Sequence, residues 1–140
     1  MRTNLSLTVL VLSAIVVAGC GSGSAPATTA TKEITSQRAG DLMLSLQNEN
    51  GELAQGQNRF VVAFRSANNQ PVDPGNVTIG ASMAMPGMAP MVAEVELKPS
   101  GTTGAYAATG DFKMSGAYVF EVRWDGPAGK GSTSFTTSVR

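Results

Sequence analysis

The chain has 140 residues with ten Lys or Arg, ten Asp or Glu and no His, so its formal net charge is zero. A chain of this length supports one domain of ordinary size with a single hydrophobic core. Because the charges are balanced and interspersed, no basic field is present to bind nucleic acid and no charged tail is present to recruit a partner. No small-molecule substrate is evident from the composition.

Residues 1–19 have the features of a secretory signal peptide. Arg2 gives a short basic start, residues 5–17 are almost entirely apolar, and small residues follow them. The apolar stretch is shorter than the ~20 residues that a stable transmembrane helix needs. We therefore predict that residues 1–19 direct export and are then removed.

Cys20 is the only cysteine in the chain, and it follows Val17, Ala18 and Gly19. These four residues resemble a bacterial lipobox, in which cleavage precedes a cysteine that carries a thioether-linked diacylglycerol. The resemblance implies that Cys20 is the lipidation site and that its acyl chains anchor the mature protein to a membrane. Since Gly21 and not Asp follows Cys20, the motif resembles the class sorted to the periplasmic face of the outer membrane in a Gram-negative host. The alternative is an ordinary signal peptide, or an anchor helix, with a chance cysteine.

After Cys20 the sequence changes to Gly, Ser, Ala and Thr as far as about residue 37. This composition offers little apolar surface for a core and predicts a disordered linker. We therefore assign residues 20–39 to the lipidated cysteine and linker, and residues 40–140 to the folded domain.

Beyond Gly40, apolar and polar residues alternate with a period of two, which is typical of strands with one buried face. Strands are predicted at residues 42–46, 59–65, 76–83, 92–98, 105–109, 118–124 and 132–139. Seven short strands separated by Gly- and Pro-rich turns predict an all-β, immunoglobulin-like antiparallel β-sandwich. The internal disulfide of antibody domains is absent, so the core must be formed by Phe60, Phe64, Leu97, Tyr118, Phe120 and Trp124.

Catalytic groups are scarce in this sequence. It has no histidine, and it has no free cysteine once Cys20 is lipidated, so the usual bases and nucleophiles are missing. Glu94 and Glu96 share one face of a predicted strand and are better explained as solvated residues than as an acid–base pair. The Gly-rich residues 126–131 lack the strand-to-helix context of a phosphate loop and predict a hairpin turn. We predict that the protein has no catalytic residues and is not an enzyme.

Four of the six methionines that follow Met1 lie within nine residues. They are Met83, Met85, Met88 and Met91. Thioether sulfur is soft and uncharged, so it suits Cu(I) better than harder ions. Pro86 and Pro90 lower the entropy that the loop loses on ordering, and Met114 is a candidate additional ligand if its loop lies nearby. The alternative is that these methionines are apolar filler at one end of the sandwich, or a patch for a partner protein.

The methionine segment is one of several that resemble the YtkA-like domain. The others are Ala105-Tyr106, residues 112–119 with Phe112, Met114, Gly116 and Tyr118, and the closing strand with Phe135. The resemblance is to small β-sandwich domains of exported or membrane-anchored proteins, similar to the FixH-like envelope proteins and sometimes associated with copper handling. Carried to this chain, it implies a copper site at Met83, Met85, Met88, Met91 and Met114. The absence of histidine disfavours Cu(II) and leaves Cu(I).

Together these patterns predict a lipid-anchored envelope protein whose methionine-rich loop binds or passes Cu(I). The alternative is a structural or interaction module that binds no metal and docks its apolar loop on an envelope transporter or oxidase-assembly complex. The two hypotheses differ in whether the sulfur atoms themselves are needed.

Overall fold

The computed structural model describes residues 31–140, and every regular element in that part of the chain is a β-strand. The strands are β1 (Lys32–Ala39), β2 (Leu42–Asn48), β3 (Gly56–Ser66), β4 (Asn76–Met83), β5 (Met91–Pro99), β6 (Ala105–Phe112), β7 (Gly116–Gly126) and β8 (Gly129–Val139). The predicted signal peptide, Cys20 and residues 21–30 of the predicted linker lie outside the described residues. Between residues 31 and 140 no helix is long and apolar enough to cross a membrane.

The eight strands form one antiparallel sheet in the order β1-β2-β3-β6-β5-β4-β7-β8. The sheet folds into two layers, one of β1, β2, β3, β6 and β5 and the other of β4, β7 and β8. The layers are joined by β4 and β5, which pair over only three residue pairs, from Ala81–Ala93 to Met83–Met91. The predicted all-β, immunoglobulin-like sandwich is confirmed, with eight strands instead of seven.

The additional strand is β1, so the prediction that residues 20–39 form a disordered linker is wrong for residues 32–39. β1 pairs with β2 from Lys32–Asn48 to Ala39–Leu42, with an irregularity between Glu33 and Thr35. Ile34 and Ala39 pack against the core. A strand at the edge of a sheet is held largely by backbone hydrogen bonds to its one neighbour, so it forms with few apolar side chains. The folded domain therefore includes residues 32–39.

Aromatic side chains from the two layers meet in the core. Phe60 of β3 packs edge-on against Phe120 of β7 with ring centroids 6.3 Å apart, and Phe120 stacks on Phe135 of β8 at 5.6 Å. Phe64 packs against Trp124 at 6.0 Å. Of the six side chains predicted to form the core, five are buried and Leu97 is half-buried.

Phe112 is a buried side chain that lies beyond the predicted strand of residues 105–109. It ends β6 and packs on Tyr118 with ring centroids 5.1 Å apart. Because its ring fills the space between the layers beside Tyr118, β6 extends three residues beyond the predicted strand end at residue 109. The following loop, residues 113–115, is short as a result.

We call the end of the sandwich where β4 finishes and β5 begins the methionine end. The chain terminus closes this end: the backbone N–H of Arg140 donates to Leu53 O at 2.9 Å, and the N–H of Gln55 donates to Arg140 O at 2.6 Å. The buried Asn48 side chain shapes the loop before Leu53, because its Oδ1 accepts from the N–H of Gly51 at 2.6 Å. These hydrogen bonds hold the loop of residues 49–55 and Arg140 together at the methionine end.

Candidate functional site

Met83 and Met91 are the last residue of β4 and the first residue of β5. They form the final cross-strand pair between the two strands, and both side chains are half-buried. The Cβ atoms of directly opposed residues in an antiparallel pair lie about 4.5–5.5 Å apart. Strand pairing therefore brings two of the predicted thioether ligands side by side.

The loop between them, residues 84–90, contains a tight turn at Met85-Pro86-Gly87-Met88. The N–H of Met88 donates to Met85 O at 3.2 Å, and Gly87 has a φ of 74°. Proline followed by a residue with positive φ is the signature of a type II turn. This turn leaves Met85 half-buried and places Met88 at the tip, where its side chain is 68% exposed.

Tyr118 connects β5 to the loop of residues 113–115. Its side chain is fully buried, and its hydroxyl lies 3.1 Å from Met114 O and 3.8 Å from Met91 Sδ. A phenol has one proton to donate, and a carbonyl oxygen is a better acceptor than a thioether sulfur. The hydroxyl therefore donates to Met114 O, which leaves the lone pairs of the Met91 sulfur available.

Gly116 provides the space that the Met83 side chain occupies. A Cβ at position 116 would lie 2.6 Å from Met83 Sδ, and the residue has a φ of 148°, which favours glycine. The sulfur of Met83 therefore rests against the backbone at the start of β7. Met114 lies two residues before Gly116, and its side chain is 42% exposed.

The structure thus places the five predicted ligands at one end of the molecule but in different settings. Met83 and Met91 are adjacent and half-buried, the backbone of Met114 is tied to the same place by Tyr118, and Met85 and Met88 lie on the loop above. The sequence predicted Tyr118 only as a core residue and indicated no role for Gly116. The sequence could have predicted a hydrogen bond from Tyr118, because a tyrosine predicted to be buried needs a partner for its hydroxyl.

Carboxylates and a lysine lie near this end on the outer face of the larger layer. Glu94 and Asp111 pair directly across β5 and β6, and Lys113 forms an ion pair with Asp111. The hydrogen bond to Asp111 and the charge of the same carboxylate raise the pKa of Lys113. Within residues 31–140 no three His, Cys, Asp or Glu side chains lie close enough together to hold a metal ion. The candidate donors at the methionine end are thioether sulfur atoms.

Comparison with known proteins gives a family and a fold. The family model described as YtkA-like matches residues 36–123, which is more than half of the chain. No curated protein matches the sequence.

Solved structures similar to this one include a bacterial protein and a filamin domain. A DUF4426 family protein from Pseudomonas aeruginosa PAO1 aligns with a TM-score of 0.50 at 18% identity, over 74% of this chain and 94% of that chain. The filamin domain of Lin-41 aligns with a TM-score of 0.44 at 18% identity, over 64% of this chain and 81% of that chain. At this level of identity, the likeness to the DUF4426 protein shows the fold alone.

Proposed function

This chain belongs to the YtkA-like family, and from that premise we propose that it is a lipid-anchored envelope protein whose methionine end binds Cu(I). The observation that carries the proposal is the pairing of Met83 with Met91 at the point where the two layers of the sandwich join. Met114 is tied to the same place through Tyr118. A set of soft, neutral donors at one half-buried position suits a soft, monovalent ion.

The properties of the methionine end favour reversible binding of Cu(I) over its permanent retention. Thioether ligands carry no charge, so they add no electrostatic attraction to the ion. Met88 is largely exposed on a turn above the inner pair, so it is the most accessible of the four loop methionines. The role that fits is transfer of Cu(I) without catalytic turnover.

The proposed location rests on Cys20. Its lipobox-like context supports attachment of diacylglycerol and anchoring to a membrane, at the periplasmic face of the outer membrane in a Gram-negative host. Membership of the YtkA-like family supports an exported protein of the cell envelope.

A titration with Cu(I) against a competing chelator tests the copper proposal. The mature lipoprotein in detergent is compared with the Met83→Leu/Met91→Leu and Met85→Leu/Met88→Leu variants, which keep apolar volume and remove sulfur. Met43→Leu is the matched control, because Met43 is an exposed methionine on β2 and outside the cluster. We expect one bound ion in the wild type and the control, and much weaker binding in both double variants. Absence of binding by the wild type would refute the copper proposal.

The second candidate function is docking on an envelope protein such as a transporter or an oxidase-assembly complex. It is favoured by the exposure of Met88 at 68% and of Val92 at 72%, since exposed apolar side chains in a group indicate an interaction site. Docking depends on apolar volume and not on sulfur, so it should survive both leucine double variants.

A further inference from the structure

The first described strand begins at the methionine end. Lys32, the first residue of β1, pairs with Asn48 at the end of β2. It also lies against the loop that follows β2, since a Cβ on Gly51 would sit 3.1 Å from the Cβ of Lys32. The segment that leads back to Cys20 therefore enters the sandwich beside this loop.

A continuous set of contacts runs from that loop to the methionines. Glu52 forms an ion pair of 3.0 Å with Arg140, and the preceding Val139 pairs with Gly116 at the start of β7. Gly116 is the residue against which the sulfur of Met83 rests. The attachment point of the domain and the methionine loop are thus at the same end of the molecule.

The distance from Cys20 limits how the domain can be held. Lys32 is twelve positions after Cys20, and a chain spans at most ~3.3–3.6 Å per residue, so Lys32 is within about 40 Å of the acylated residue. The eleven residues of β7 or β8 span about 35 Å at ~3.3 Å per residue, so the opposite end can lie farther from Cys20 by up to a similar distance. Anchoring at Cys20 favours orientations in which the methionine end is the closer one to the bilayer.

The surface of this end is apolar where it protrudes. The stretch from Met83 to Val92 contains no charged side chain. Val92 is 72% exposed and pairs with Ser82, which pairs in turn with Val119, itself 42% exposed. Met88 at the tip of the turn and Val92 and Val119 beside it are thus exposed apolar side chains at this hairpin.

We propose that this hairpin tip inserts at the headgroup boundary of the membrane to which the protein is anchored, an inference that rests on the proposed lipidation of Cys20. A protruding loop of small and flexible apolar side chains suits a lipid surface, which needs no complementary shape. The anchor makes the contact intramolecular, so the high effective concentration populates a contact that would be weak for a free domain. Charged side chains of both signs lie at the same end of the molecule, including Lys32, Glu52 and Arg140, so the contact requires no anionic lipid and tolerates salt.

The test uses the full lipoprotein in protein-free phosphatidylcholine vesicles, after intact mass measurement shows the lipid on Cys20. Because lipidated Cys20 has no free thiol, a single cysteine can be labelled with an environment-sensitive fluorophore in Met88→Cys. The matched control is Ser100→Cys, which lies in an exposed turn at the opposite end of the sandwich. We expect a blue shift and quenching by spin-labelled lipid at position 88, unchanged at high salt, and neither signal at position 100.

Equal signals at positions 88 and 100, or no signal at either, would overturn the inference and leave a protein as the occupant of the apolar surface. A charge at the tip gives an independent check: in Ala89→Cys labelled protein, an added Met88→Glu substitution should abolish the quenching. Failure of this experiment is distinct from failure of the proposed function, since lipidation is read by mass and Cu(I) binding by titration.

Discussion

Tyr118 donates a hydrogen bond of 3.1 Å from its buried hydroxyl to the backbone carbonyl of Met114. This bond crosses from the start of β7 back to the loop of residues 113–115, and it holds that loop next to Met91. The candidate ligands of two different hairpins are therefore coupled by a residue that is not itself a proposed ligand.

Removal of this hydroxyl should affect both stability and Cu(I) affinity. In Tyr118→Phe the ring still packs on Phe112, but the carbonyl of Met114 loses its partner, so we expect the free energy of unfolding to fall by about 1 kcal/mol. Cu(I) affinity should fall several-fold, because the loop that carries Met114 is no longer held. Urea denaturation and chelator competition measure the two effects.

Tyr106→Phe is the matched control for that substitution. The Tyr106 hydroxyl donates to Gly75 O at 2.7 Å, at the end of the sandwich opposite the methionines. Its removal should lower stability by a similar amount and leave Cu(I) affinity unchanged. If both variants reduced Cu(I) affinity equally, the effect would be one of general stability and the positioning role of Tyr118 would be wrong.

Gly116→Ala should displace the sulfur of Met83. The new Cβ would lie 2.6 Å from Met83 Sδ, and the φ of 148° is strained for any residue with a Cβ. We expect the free energy of unfolding to fall by about 1–3 kcal/mol, together with weaker Cu(I) binding. Gly80→Ala is the control, because no atom lies within 4 Å of a Cβ at that position in β4. Unchanged Cu(I) binding in Gly116→Ala would exclude Met83 from the site.

Asn48 supports the loop that closes the methionine end. Its side chain accepts from the N–H groups of Asn50 and Gly51 and donates to Glu52 O at 2.7 Å. Asn48→Ala removes all three bonds in a buried position, and we expect a loss of about 2 kcal/mol in the free energy of unfolding. Thermal denaturation beside Asn50→Ala, a change at an exposed side chain, measures it. A loss no larger than that of Asn50→Ala would show that backbone pairing alone holds the loop.

The sequence predicts the fold well where strands have one buried face. In β7, buried Tyr118, Phe120, Val122 and Trp124 alternate with exposed residues, so the period-two pattern was sufficient. β1 was missed for the opposite reason. Its residues Lys32–Ala39 are mostly polar, and the pairing with β2 that orders them is a tertiary interaction with no local signal.

The sequence groups the candidate ligands but does not reveal the residues that support them. Four methionines close together in sequence are visible without a structure, but the contact of Met83 with Gly116 joins residues 33 positions apart. The contact between the Tyr118 hydroxyl and the Met91 sulfur likewise depends on the order of strands in the sheet. Such contacts follow from sheet topology, which the spacing of apolar residues does not determine.

Tyr106 gives the fold a dependence on alkaline pH. Burial, and next the negative charge of Asp73, raise the pKa of this phenol above its ordinary value of 10.0. The unfolded chain therefore loses the proton at lower pH than the folded chain. The contribution of Tyr106 to the free energy of unfolding is fully present below pH 10 and is lost as the pH rises through the pKa of the folded state.

The free energy of unfolding should therefore decrease more steeply between about pH 9 and 11 in the wild type than in Tyr106→Phe, which has no phenol at this position. Urea midpoints over that range measure the difference. Since lysines titrate in the same range, only the difference between the two proteins reports on Tyr106. Asp73→Asn should reduce the difference without abolishing it, because burial is the larger cause of the raised pKa. Parallel pH profiles for wild type and Tyr106→Phe would show that the phenol ionises equally readily in the folded and unfolded chain.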